Sequence, residues 1–212
     1  MTKKIIATLF SMCLILLFIV QQIRAYQFVE YYVIFVIPYI LSNVALLIAL
    51  FLSLRTKPKE INDSNVMFFV CLAAANMPIF MQLSGVTIVG PHINATIKQV
   101  GSVMSVAAIP FYLAAVVNLG RNLSVLPEAS TLQTGGVYRF SRHPLYLTYI
   151  YWYLLQIAML QSWVIVGLSA IQIALQIIRA KSEETILEKN FPEYKRYKRE
   201  VWWIGKNLLK LA

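Results

Sequence analysis

With 59% of its 212 residues hydrophobic and only 13% charged, the chain lies far from the roughly 25% charged residues of a soluble domain. It cannot hide that much apolar surface in one water-facing core, so lipid must act as part of its solvent. The net charge of +10 sits in membrane-flanking segments rather than on a folded basic face, which argues against nucleic-acid binding. The two lone cysteines, Cys13 and Cys71, lack CxxC spacing and argue against a disulfide framework or a metal site.

In chain order, apolar stretches of spanning length occur at 5–23, 31–54, 65–89 and 98–120. Each meets the ~18–20 residues that a helix needs to cross the hydrocarbon core. A shorter pair follows at 145–160 and 163–180, split only by Gln161-Ser162. The pattern predicts an all-α integral membrane protein with about six transmembrane helices, or five if the last pair enters the bilayer only partly. Lys3-Lys4 before the first run resembles the start of a signal peptide, but Gln21-Gln22-Ile23-Arg24 offers no small-residue cleavage site, so a retained helix is expected. Pro38, Pro78 and Pro110 fall inside apolar runs and read as kinks, since membrane helices tolerate proline. The loop 55–64 reads as a plain polar connection broken by proline.

Placing both termini inside puts 17 of the 19 basic residues on one side, with only Arg24 and Lys98 outside. That asymmetry predicts a multi-pass protein with cytosolic termini, and attraction to anionic lipid explains the positive charge.

Residues 1–120, nearly free of ionisable groups within the apolar runs, read as scaffold and a wall for substrate access. Polar chemistry concentrates in 121–212. The connection 121–144 holds Gly135-Gly136, Arg139, Arg142 and His143, and a loop that long is uncommon unless it is functional or disordered; Tyr138, Phe140 and Tyr146 argue against disorder. In the tail, Tyr194, Tyr197, Val201 and Ile204 recur at helical spacing beside Lys195, Arg196, Lys198 and Arg199. This predicts a basic amphipathic helix on the cytosolic membrane face, with Trp202-Trp203 at headgroup depth. His92, after Gly90-Pro91 in an outer loop, reads as incidental. His143, between Arg142 and Pro144, lies where a helix begins, a position that suits proline. If 145–160 and 163–180 form a C-terminal hairpin, Arg142-His143 at one end meets Arg179, Glu183 and Glu184 at the other. Arg179 and Glu183, four apart, share a helical face. Two carboxylates near a helix C-terminus oppose its dipole and need compensation, either from Arg142 and Arg179 as structural ion pairs or from a polar ligand held between the clusters.

The run Gly136-Val137-Tyr138-Arg139-Phe140-Ser141-Arg142-His143-Pro144-Leu145-Tyr146 resembles the G-x-Y-x-x-x-R-H-P-x-Y signature of the isoprenylcysteine carboxyl methyltransferases, a family related to phospholipid methyltransferases. Further on, Glu183-Glu184-Thr185-Ile186-Leu187 and Phe191-Pro192-x-Tyr194-x-x-Tyr197-x-x-x-Val201 are similar to that family's E-E-x-x-L and F-x-x-Y-x-x-Y elements. The resemblance covers about 130–201, and departs at Thr148, where the family often has glycine. It implies an S-adenosyl-L-methionine-dependent methyltransferase acting on a lipidic or isoprenoid membrane substrate, with a cytosolic site. It further implies that Leu132, Tyr138, Arg142, His143, Pro144, Leu145, Tyr146, Glu183 and Glu184 bind the methyl donor, and that Arg179 faces the acceptor. A sulfonium methyl is already activated, so the site must align the reactants and exclude water. A carboxylate acceptor needs no base, and Arg179 would grip it; an amine acceptor would need one, with Glu184 nearest. No metal is implied. Two alternatives stand beside this. Sterol reductases share an Arg-His-Pro hairpin and bind NADPH, but their later element resembles D-E-x-x-C followed by W-x-x-Y-C, with no cysteine here to match. A non-enzymatic membrane scaffold would be favoured by charges at mid-membrane in the first four helices, which hold none.

Overall fold

The fold is that of a computed structural model in which residues 1–26, 33–62, 64–83, 95–160 and 162–203 are described. Its helices are α1 (Thr2–Tyr26), α2 (Val33–Ser53), α3 (Asn65–Leu83), α4 (Ala95–Ala107), α5 (Ile109–Leu119), α6 (Pro144–Leu160), α7 (Trp163–Asn190) and α8 (Tyr194–Glu200). Three apolar helical stretches are long enough to cross a membrane: Thr2–Arg24, Gln99–Asn122 and Trp163–Asn190. Ile37–Ser53 and Asn65–Phe80 are shorter apolar helices. His92 and Ile204 lie outside the described residues.

The expected unbroken span 98–120 is two helices, α4 and α5, separated at Ala108. Pro110 lies in the first turn of α5, where its missing N–H and fixed φ favour starting a helix over continuing one. Buried amides and hydroxyls then join the helices. Asn76 on α3 donates to Ser11 Oγ on α1 at 3.0 Å, and Gln176 on α7 donates to the Ala74 carbonyl of α3 at 2.9 Å. In an apolar surround such bonds hold helices together where hydrophobic driving force is weak.

The loop 55–64 is more than a plain connection. Glu60–Ile61 (β1) pairs antiparallel with Glu128–Ala129 (β2), adding a two-residue ladder to the otherwise helical chain. Lys59 N–H donates to the Ala129 carbonyl and Asn62 N–H to the Pro127 carbonyl, extending the pairing. Glu60 also accepts from Lys189 and Asn190, both at 2.7 Å, and Asn62 donates to Ser182 at 2.9 Å. The 55–62 strap therefore ties the last turns of α7 to the connection before α6, at the end of the bundle where Lys3 and Lys4 also lie, since Lys3 bonds Asn65 and Lys4 bonds the Thr56 carbonyl.

The connection 120–143 is ordered by short turns. Gly120 (φ 49°) caps α5, and Gly136 (φ 57°) opens a helical turn over 136–139. At Gly136 a side chain would also overlap Asn118, whose Oδ1 lies 1.8 Å from the ideal Cβ position. Gly136→Ala is expected to lower stability by at least the ~1–2 kcal/mol of a left-handed non-glycine residue. Thermal unfolding in detergent checks this, with Asn118→Ala recovering only the steric part of the loss. An unchanged midpoint for the single variant would contradict it.

Candidate active site

α6 and α7 run side by side in opposite directions, so the start of one meets the charged turns of the other. Three contacts record this register: Tyr153 to Gln172 at 3.4 Å, Tyr146 to Glu183 at 2.8 Å, and His143 to Glu184 at 2.9 Å. Arg142-His143-Tyr146 and Arg179-Glu183-Glu184 are thereby brought together. α7 continues to Asn190, so the two glutamates stand about two turns before its end rather than at it. The dipole problem anticipated for a C-terminal pair is correspondingly smaller.

The Glu184 carboxylate gathers the cluster. It meets His143 Nε2 at 2.9 Å, Trp203 Nε1–H at 2.9 Å, Lys198 Nζ at 3.1 Å and Arg142 Nη1 at 3.4 Å. Glu184 is thus an anchor with its lone pairs engaged.

The tail differs from the expected amphipathic helix. α8 spans only Tyr194–Glu200, with Tyr194 and Tyr197 buried, and the chain then runs extended across 141–143. Arg142 N–H donates to the Trp202 carbonyl at 3.1 Å, Ser141 Oγ donates to the Trp203 carbonyl, and the Tyr197 hydroxyl donates to the Tyr138 carbonyl. The Trp203 ring lies 4.6 Å from the His143 ring. Trp203 therefore closes over the histidine, while Trp202 stays exposed. Neither Trp203 nor Lys198 carried a local sequence signal for this, because both make contacts only after the tail folds back.

In front of the anchor is a cleft of two connected lobes. One is lined by Ser124, His143, Leu145, Tyr146 and Arg179, the other by Leu132, Gln133, Leu187, Tyr194 and Tyr197. Leu119, Asn122, Glu128, Tyr138, Arg142 and Glu183 line both. Pro144 and Glu184 lie behind this lining. Pro144 starts α6, and Glu184 holds the wall. Thr148, at the position where glycine had been the expectation from resemblance, is buried and returns its hydroxyl to the Pro144 carbonyl at 2.9 Å.

Tyr146 fixes two opposite charges. Its hydroxyl donates to Glu183 at 2.8 Å, and the Arg179 guanidinium lies over its ring, 5.4 Å from the centroid. Arg179 donates to the Ser124 carbonyl. Among the described residues no carboxylate lies within ion-pairing distance of Arg179 and no cation within that distance of Glu183. Buried atoms of the lining, Asn122 Oδ1, Arg142 Nε, Arg179 Nε and Tyr194 Oη, have no hydrogen-bond partner among the described residues. Buried polar groups are ordinarily bonded, so this concentration marks the cleft as a place for a polar ligand. No group of three metal-ligating side chains occurs among the described residues.

If Glu184 anchors the tail, Glu184→Ala will release 201–203 from 141–143, and the Arg142 amide will exchange hydrogen about tenfold faster or more. Unchanged exchange would show that the anchor lies elsewhere.

No curated protein matches the chain. Residues 101–189 match the family model described as the isoprenylcysteine carboxyl methyltransferase family. The matched stretch contains α5, the connection, α6 and most of α7, and with them most of the cleft lining, so that within a chain of membrane-length apolar helices 101–189 is similar to an isoprenylcysteine carboxyl methyltransferase family domain.

Proposed function

We propose that the chain transfers a methyl group from S-adenosyl-L-methionine to a lipidic or isoprenoid-type acceptor, at a carboxylate, from a site on the cytosolic side of a membrane. The observation that carries this is the pair of opposite charges on Tyr146, neither in direct ion-pair contact with a protein group among the described residues. Glu183 calls for a cationic partner and Arg179 for an anionic one, within one cleft. A sulfonium donor and a carboxylate acceptor meet both needs. A phosphate-bearing nicotinamide cofactor suits the lining less well, since Glu128 and Glu183 both face it.

The donor supplies an electrophilic methyl group that needs no further activation. The chain's residues bind and orient. Leu132, Tyr138, Tyr194 and Tyr197 offer flat and apolar surfaces suited to a purine ring. Arg142, held against Glu184, and His143 to Tyr146 form the wall, with backbone groups at the start of α6 available to the donor's polar ends. Glu183 faces positive charge, and Arg179 presents a planar fork to a carboxylate. Trp203 and the tail cover His143 and keep water out, which strengthens these electrostatic contacts.

The lipid side is supported by a second cavity of about 170 Å³ inside the helix bundle, lined by Tyr39, Tyr112, Tyr149, Trp152 and Tyr153. Tyr149 is one turn along α6 from Tyr146, so an acceptor body in this cavity can deliver its head toward Arg179. The cytosolic side is supported by the basic termini-facing segments, which the 55–62 strap, the connection and α7 gather at one end of the bundle.

Membranes containing the chain, incubated with methyl-labelled donor, are expected to yield label in the lipid extract, and membranes lacking it are not. Arg179→Lys should raise the acceptor KM about tenfold through loss of the fork while leaving affinity for S-adenosylhomocysteine unchanged. Label confined to protein or water-soluble products, or an Arg179→Lys variant that loses only donor affinity, would contradict the assignment.

A further inference from the structure

The family match begins at residue 101, yet a residue of the first helix reaches the cleft lining. Lys4 Nζ lies 2.9 Å from Glu128 Oε2 and 3.0 Å from Oε1, with the two side chains 3% and 2% exposed. Lys4 also donates to the Thr56 carbonyl at 3.2 Å, and Ser130 Oγ donates to Glu128 at 2.8 Å. β2 fixes the backbone of Glu128 against the strap. An ion pair buried this deeply is weak support for stability, because desolvation offsets its attraction. Burial in fact raises the Glu128 pKa against the pull of Lys4. A role in binding is the better reason for the pair.

Glu128 and Glu183 are the two carboxylates on the lining shared by both lobes, and they differ in kind. Lys4 compensates the charge of Glu128 from behind, whereas Glu183 has a neutral phenol as its hydrogen-bond partner. A compensated carboxylate gains most from neutral hydroxyl donors, and an uncompensated one from a cation. Glu128 also stands between the aromatic lobe, suited to a purine, and the lobe holding Glu183 and Arg179. A ribose joins those two parts of the donor. We propose that Glu128, held by Lys4, binds the ribose hydroxyls of the methyl donor, and that the first helix thereby supplies a positioning residue, Lys4, to the donor site. This rests on the methyl-donor reading above.

The test titrates the full chain in detergent with S-adenosylhomocysteine and with its 2′,3′-dideoxy analogue. Wild type should bind the analogue about tenfold more weakly, the effect of losing hydrogen bonds to a charged acceptor. In Lys4→Met/Glu128→Leu, which leaves neither charge buried alone, S-adenosylhomocysteine should weaken about tenfold and the gap between the ligands should close. Glu128→Gln, which keeps the shape and one acceptor, should give an intermediate gap. A purely structural pair would shift thermal stability and leave the gap intact, so a full gap in either folded variant overturns the proposal. Wild type that binds both ligands equally overturns it while sparing the methyl-donor reading. Wild type that binds neither overturns both.

Discussion

A carboxylate buried on a membrane-length apolar helix is unfavourable unless donors meet it from outside its own helix. Glu184 is met by His143 and Arg142 from the start of α6, by Lys198 from α8 and by the Trp203 indole from the end of the described chain. These donors come from segments far apart in sequence, so one side chain joins the connection, the helix pair and the tail. The neighbouring Glu183 is then free of structural duty and turns to the cleft, where a tyrosine hydroxyl is its hydrogen-bond partner. Adjacent residues on one helix thus divide into an anchor and a cleft-facing group.

The same division runs through the rest of the site. Arg142 spends its charge on Glu184, while Arg179 keeps its charge for the cleft and leans on a carbonyl and a ring. Lys4 compensates Glu128, so the scaffold half of the chain reaches the site through a lysine of the first helix and the short strap at 55–62, besides Leu119 in the lining. Fixed charges in a water-poor cleft act strongly on a ligand because little solvent reorganises around them. The fold supplies that condition by closing the tail over His143.

Much of this was legible in the residues themselves. Apolar run lengths located the helices, and the opposed positions of Arg142-His143 and Arg179-Glu183-Glu184 followed from pairing the last two. What remained hidden depends on chain reversal or on backbone chemistry with no periodic signal. A two-residue ladder at Glu60–Ile61 is too short to show alternation. Pro110 reads as a kink inside one run, whereas the structure breaks the helix at Ala108 and places the proline in the first turn of the next. Tyr194, Tyr197 and Val201 have helical spacing but end in an extended segment, because Trp202 and Trp203 carbonyls bond the 141–142 backbone and side chain. Lys4 was counted only as a topogenic charge, since nothing near it in sequence reveals a carboxylate 124 residues away.

The central claim, that the Glu184-anchored cleft is a methyl-donor site, is tested most directly by calorimetric titration of the detergent-purified chain with S-adenosylhomocysteine and with NADPH. Saturable binding of S-adenosylhomocysteine, weakened about tenfold or more in Glu183→Ala and His143→Ala and absent for NADPH, is the expected result. Binding of NADPH instead, or S-adenosylhomocysteine binding that both substitutions leave unchanged, would contradict it.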